Sequence, residues 1–185
     1  MEGTASTSTF SGDIDPGQLS SLRQGCPAAL AAAYDRFARP AYGLAIRVLG
    51  NPEDAADLVQ DVFLRLPRAS RQFRGDAPFG AWLRKLVANA TIDRLRERKR
   101  LVPLDQAHVE LGLDSGVLDA IHAGELLQRL SPTARLVLLL HAVEGMTHAE
   151  MAVLFQQSES YSKSILSRAL KRLRDLYRSD SPVPP

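Results

Sequence analysis

The amino-acid sequence predicts an all-α protein of two small helical domains joined by a flexible linker, and three observations carry that prediction. Apolar residues recur at helical spacing nearly throughout, with no sustained alternation of the kind a half-buried strand shows, and Ala, Leu and Arg are abundant. Several helix starts carry their own capping chemistry. Between Leu101 and Gly116 the pattern loosens around Pro103, Gly112 and Gly116 without any capped start, as an interdomain connection would.

Taken in order, residues 1–13 are rich in Ser, Thr and Gly and read as a disordered N-terminal tail, followed by a first domain over 14–100. Within it, Asn51-Pro52-Glu53-Asp54 supplies an Asn cap, a Pro at the first helical position and carboxylates near the positive end of the dipole. The helix that starts there runs to about Leu66. Leu58, Val59, Val62, Phe63 and Leu66 form its apolar stripe, and Asp54, Asp57, Gln60 and Asp61 lie off it on an acidic face. A loop follows at 71–76. Asp76 or Ala77 with Pro78 then opens a basic helix from Phe79 to about Arg100.

The linker is placed at 101–117 and a second domain at 118–178. A helix spans about Leu118–Leu130. Ser131-Pro132 starts the next, which ends near Gly145, a residue suited to a left-handed helix end. Thr147 and Glu150 form a capping box for a short helix ending near Phe155. Gln156-Gln157 makes the turn, and Ser158 caps a long helix to about Tyr177. Its buried side is Leu166, Ala169 or Leu170, Leu173, and Leu176 or Tyr177. Residues 179–185, with three prolines, form a C-terminal tail.

Of the 185 residues, 45% are hydrophobic and 24% charged, which excludes a wholly disordered chain, while a net charge of only +2 says little about polyanionic partners. The distribution says more. Seven basic residues lie between Trp82 and Arg100 against Asp93 and Glu97, and six between Ser158 and Arg178 against Glu159 and Asp175. The sole cysteine, Cys26, allows no intrachain disulfide; the first residues lack a signal-peptide pattern, and no apolar run approaches the ~20 residues of a membrane span. The expectation is a cytoplasmic protein without membrane insertion.

The last two helices have the short-helix, tight-turn, long-helix arrangement of a helix-turn-helix, whose second member enters the DNA major groove. Its solvent side offers Ser160, Tyr161, Lys163, Ser164, Ser167, Arg168, Lys171 and Arg172, hydroxyls and cations fit for bases and phosphates. An ordinary helix pair with a solvated basic face is the bland alternative. The basic helix from Phe79 to Arg100 combines aromatics at Phe73, Phe79 and Trp82 with Arg84, Lys85, Asn89, Arg94, Arg96, Arg98, Lys99 and Arg100: rings to stack a base, an amide to read one and charge for the backbone. Phe79 and Trp82, at i and i+3, are more often core residues than base platforms. The acidic face at Asp54–Asp61 would repel phosphate, so it calls for a basic protein partner. His108, His122, His141 and His148 are scattered without metal-ligand spacing, and neither a Gly-rich phosphate loop nor an activated nucleophile is present. No catalytic residue, metal or cofactor is expected.

The stretch from Asn51 to Arg65, the stretch from Phe79 to Arg96 and the stretch from Met146 to Phe155 with Ser167–Arg174 together resemble the extracytoplasmic-function (ECF, group 4) sigma factors of the sigma-70 family. The resemblance implies a promoter-specificity subunit of RNA polymerase that directs transcription initiation. By it, Asp54, Asp57, Gln60 and Asp61 would contact the β′ clamp of core polymerase. Gln72, Phe73, Arg74 and Asn89 would capture a base of the -10 element, with Arg84, Lys85, Arg94 and Arg98 on the strand backbone. The helix from Ser158 would read the -35 element while its domain docks on the β flap, and an anti-sigma factor would be a regulatory partner. The family's usual Gly at the turn is replaced by Gln156, a core Val by Ser162 and an Arg by Ile165. An autonomous helix-turn-helix regulator and a sigma-like protein adaptor are the alternative readings.

Overall fold

The computed structural model describes residues 8–101 and 124–180, and every regular element among them is helical. In order these are α1 (Pro16–Arg23), α2 (Pro27–Leu49), α3 (Pro52–Ala69), a 3₁₀ turn (Ser70–Gln72), α4 (Phe79–Leu101), α5 (described over 124–128), α6 (Pro132–Ala142), α7 (His148–Phe155) and α8 (Glu159–Asp180). The expected linker beyond Leu101, the start of the helix placed at Leu118, and the tail from 181 lie outside the described residues.

Local chemistry starts the helices where the sequence places them. Asn51 accepts the Asp54 amide at 3.0 Å with Pro52 behind it. Ser131 accepts from Ala134 at 3.4 Å. At α7, the Glu150 amide donates to Thr147 Oγ1 and the Thr147 amide to Glu150 Oε2, at 3.2 and 3.0 Å, which closes the capping box. All five stripe residues of α3 are buried, Leu66 completely, and α2 is its main packing partner. At about 1.5–3 kcal/mol for each large apolar side chain removed from water, this stripe outweighs any propensity term in fixing α3. The α8 alternatives resolve to Leu166, Ala169 and Leu176 inside, with Leu173 half-buried and Leu170 and Tyr177 outside.

Two expectations change. Residues 8–13 are not tail: Phe10 is 2% exposed and belongs to the core, while the tail expected at 1–7 lies outside the described residues. The cap of α4 is not local either. Asp13 Oδ1 accepts from the Phe79 amide at 2.9 Å and the Gly12 carbonyl from the Gly80 amide at 3.1 Å, so two of the unpaired amides of the first turn are satisfied from more than sixty residues away.

The two halves close on each other. Helices α2 and α4 pack against α6, and α4 also packs against α7. One continuous buried cluster runs from Phe10, Phe37 and Phe79 in the first half to Leu136, Leu140, Met151 and Leu166 in the second. Arg135 on α6 spans the junction, donating to Gln128 Oε1 and, at 3.4 Å, to the Arg47 carbonyl near the end of α2. Burial, with Arg98 nearby, lowers its guanidinium to about 10.

Candidate nucleic-acid interface

On α3, Asp57, Gln60 and Asp61 project into solvent; Asp61 makes a long, exposed contact of 3.8 Å with Arg65. Asp54 stands apart from them. Its carboxylate is ion-paired with Arg98 of α4, which also donates to the Leu49 carbonyl at 3.1 Å. Arg98 thus ties α4 to α3 and to the carbonyl end of α2, a position where a cation is favourable.

The loop after α3 is pinned from behind by Arg23 of α1, whose guanidinium donates to the Ser70 and Phe73 carbonyls at 3.1 and 2.6 Å. Phe73 turns inward, edge-on to Phe79 at 5.4 Å and tilted against Trp82 at 5.5 Å. It is 7% exposed and Phe79 fully buried, so these rings anchor the loop as core, while Gln72 and Arg74 on either side of Phe73 face water. Along α4, Asn89 is exposed and Arg94 half-buried, and both line a groove shared with Asp61 and Arg65 of α3.

Arg84 and Lys85 are committed elsewhere. Arg84 is 7% exposed and donates to the Glu144 carbonyl in the turn after α6 and, at 3.4 Å, to Ser8 Oγ; its Nε has no partner among the described residues. Lys85 pairs with Glu150 of α7 at 3.2 Å. Burial pushes the Glu150 carboxyl up, but the Thr147 amide and Lys85 outweigh it and hold it below the ordinary value.

In the second half the structure brings the expected residues together. Ser160, Lys163, Ser164, Ser167, Arg168, Lys171 and Arg172 share the exposed side of α8, and Tyr161 is half-buried with its ring 5.9 Å from Phe155. Cations and hydroxyls over about three turns of one helix match what a duplex groove and its phosphates take. Gln156 adopts the left-handed conformation, φ +54, in the turn ahead of it, the only non-glycine to do so among the described residues. Ser162, 1% exposed, is satisfied by the Glu159 carbonyl at 3.1 Å and His148 Nδ1 at 2.9 Å. A hydroxyl is accommodated there because α7 brings a histidine to meet it. That ring stacks on His141 at 4.7 Å; burial first, then the charges of His141 and Lys163, lower its pKa against the opposing effect of Glu159.

Sequence reading does not find Asp13, Arg23 or Glu144. Only Glu144 had a signal, a lone acid within an apolar stretch.

The acidic face of α3, the loop and groove beside α4 and the basic side of α8 lie in segments that known families share. The family described as Sigma-70 region 2 matches residues 33–101, and Sigma-70, region 4 matches 123–173. The ECF RNA polymerase sigma factor SigM of Mycobacterium tuberculosis is 32% identical over 145 residues, covering 77% of this chain and 74% of that protein. The chain belongs to the ECF group of the sigma-70 family. Its function is that of an RNA polymerase sigma factor. Two solved structures share the fold. CnrH, in complex with the cytosolic domain of CnrY, matches with a TM-score of 0.59 and 27% identity over 91% of this chain and all of that one. RpoE of Bartonella quintana, bound to the anti-sigma factor NepR, matches with a TM-score of 0.60 at 23% identity, over 88% of this chain and 99% of that one. In this sigma factor no helix among the described residues is long and apolar enough to cross a membrane.

Proposed function

We propose that the first half, 14–100, docks on core RNA polymerase through Asp57, Gln60 and Asp61 and engages the -10 element, while the second half, 118–178, reads the -35 element with α8. The observation that carries this is a division of charge between helices: an exposed acidic face on α3 that repels DNA, and a run of exposed cations and hydroxyls on α8 that attracts it. Asp54 acts mainly by holding Arg98. Gln72, Arg74 and Asn89 supply the exposed polar groups for a captured base, with Phe73 bracing their loop from inside and Arg94 on the strand. Arg84 and Lys85 join the strand contacts once released from the second half.

The working compartment is the cytoplasm, where polymerase is found. RpoE is bound to the anti-sigma factor NepR and CnrH to the cytosolic domain of CnrY, and a regulatory anti-sigma factor is likewise a partner suited to hold such a two-part molecule. A gel shift tests the reading against an autonomous helix-turn-helix regulator. The chain should retard promoter duplex only in the presence of core polymerase; tight, strongly salt-dependent retention of duplex by the chain alone would favour the regulator.

A further inference from the structure

We propose that residues Ser8–Asp13 form a clasp that locks the two halves together and thereby withholds Arg84 and Lys85 from nucleic acid. The inference rests on the strand-binding role given to those two cations above.

The segment grips both halves at once. Its C-terminal end caps α4, through Gly12 and Asp13 on the Gly80 and Phe79 amides. Its N-terminal end holds the second half: the Ser8 hydroxyl donates to Glu144 Oε2 at 2.5 Å and the Thr9 hydroxyl to Glu144 Oε1. Between them Phe10 is buried in the common core. Glu144 is itself 3% exposed, so the two hydroxyls are what a buried carboxylate needs in place of water. Directly beneath, Arg84 donates to the Glu144 carbonyl and to Ser8 Oγ. One turn therefore receives the clasp and the first strand cation together. Lys85 is neutralised next to it by Glu150.

Arg84 so placed cannot meet a phosphate, and Lys85, 43% exposed, meets one only in competition with Glu150. Arg84 has lost its access to solvent and Lys85 shares its charge with a carboxylate, so the closed form presents to a single strand only part of the cationic surface of α4. Opening the halves would expose both residues and free Glu144.

The close approach at Gly80 provides a clean way in. A Cβ there would sit well inside van der Waals contact with the Phe10 carbonyl oxygen and 2.9 Å from that of Gly12, both backbone atoms that cannot rotate away. Gly80→Ala should therefore expel the clasp, while alanine suits the first turn of α4 at least as well as glycine. The full chain and its Gly80→Ala variant would be compared by small-angle scattering and by binding to a fluorescein-labelled single strand of mixed sequence. A Ser8→Ala/Thr9→Ala/Phe10→Ala variant, altered only in the clasp itself, guards against a folding defect in α4. The expected result is a compact wild type, an expanded radius of gyration in both variants, and at least a tenfold gain in strand affinity. Unchanged dimensions in both variants would overturn the clasp, whatever the transcription assays show. Expansion without tighter strand binding would overturn the withholding of Arg84 and Lys85 and, with it, their assigned role, while leaving polymerase docking intact.

Discussion

Reversing two charges on α3, Asp57→Arg with Asp61→Arg, separates docking from folding. Both side chains face solvent, and the contact Asp61 makes with Arg65 is 3.8 Å long between groups that are 55% and 79% exposed. Losing such a pair costs at most about 0.5 kcal/mol, so the melting temperature should barely move. Against a basic partner the arithmetic differs. A unit pair at about 4 Å is worth roughly 1 kcal/mol even in bulk water, and reversal turns that attraction into repulsion at each of two positions. Halved for screening at physiological salt, the sum is about 2 kcal/mol, a Kd weakened roughly 30-fold. The assay is competition by fluorescence anisotropy for purified core polymerase, with circular dichroism melts run in parallel. A doubly reversed protein that melts like wild type and binds polymerase within about threefold of it would refute the docking surface, since no screening argument rescues two reversed contacts.

Removing the cap of α3 by Asn51→Ala should lower stability by about 1 kcal/mol in urea or thermal unfolding, because the Asp54 amide loses its acceptor. Gln156→Gly should raise it by up to about 1 kcal/mol, since glycine adopts φ +54 without the steric cost a Cβ imposes, and -35 binding should be unchanged. Acid should weaken the second half through His148. Its folded pKa lies below the unfolded value, so the unfolded chain takes up the proton first. Stability is full above the ordinary imidazole pKa and is lost as pH falls from there through the lowered folded value. Thermal melts across that range should show a wild-type decline that is smaller in His148→Gln. Glu150 acts in the same direction at lower pH, because its folded pKa is also held down.

What the sequence made legible is what neighbouring residues decide. Asn51, Ser131 and the Thr147–Glu150 box each act within three residues, and the stripe from Leu58 to Leu66 is a one-helix pattern, so their helices fall where expected. The exposed side of α8 follows from the same periodicity once Leu166 and Ala169 are inside. Contacts between distant segments carry no such signature. Asp13 and Phe79 are 66 residues apart, Arg84 and Glu144 60, and nothing near either member of a pair announces the other. The N-terminal segment reads as a tail because its composition is polar, yet one aromatic, Phe10, is enough to bring it into the core. The basic run on α4 likewise looked uniform, and only the fold divides it. Asn89 faces water, Arg98 serves as a tie to Asp54, and Arg84 is enclosed by the second half.

Run-off transcription with purified core polymerase on a pool of genomic fragments tests the central claim most directly. Discrete transcripts that start at defined positions only when this chain is added are the predicted result. A folded chain that binds polymerase and yields no such transcripts would contradict the account and leave a sigma-like adaptor in its place.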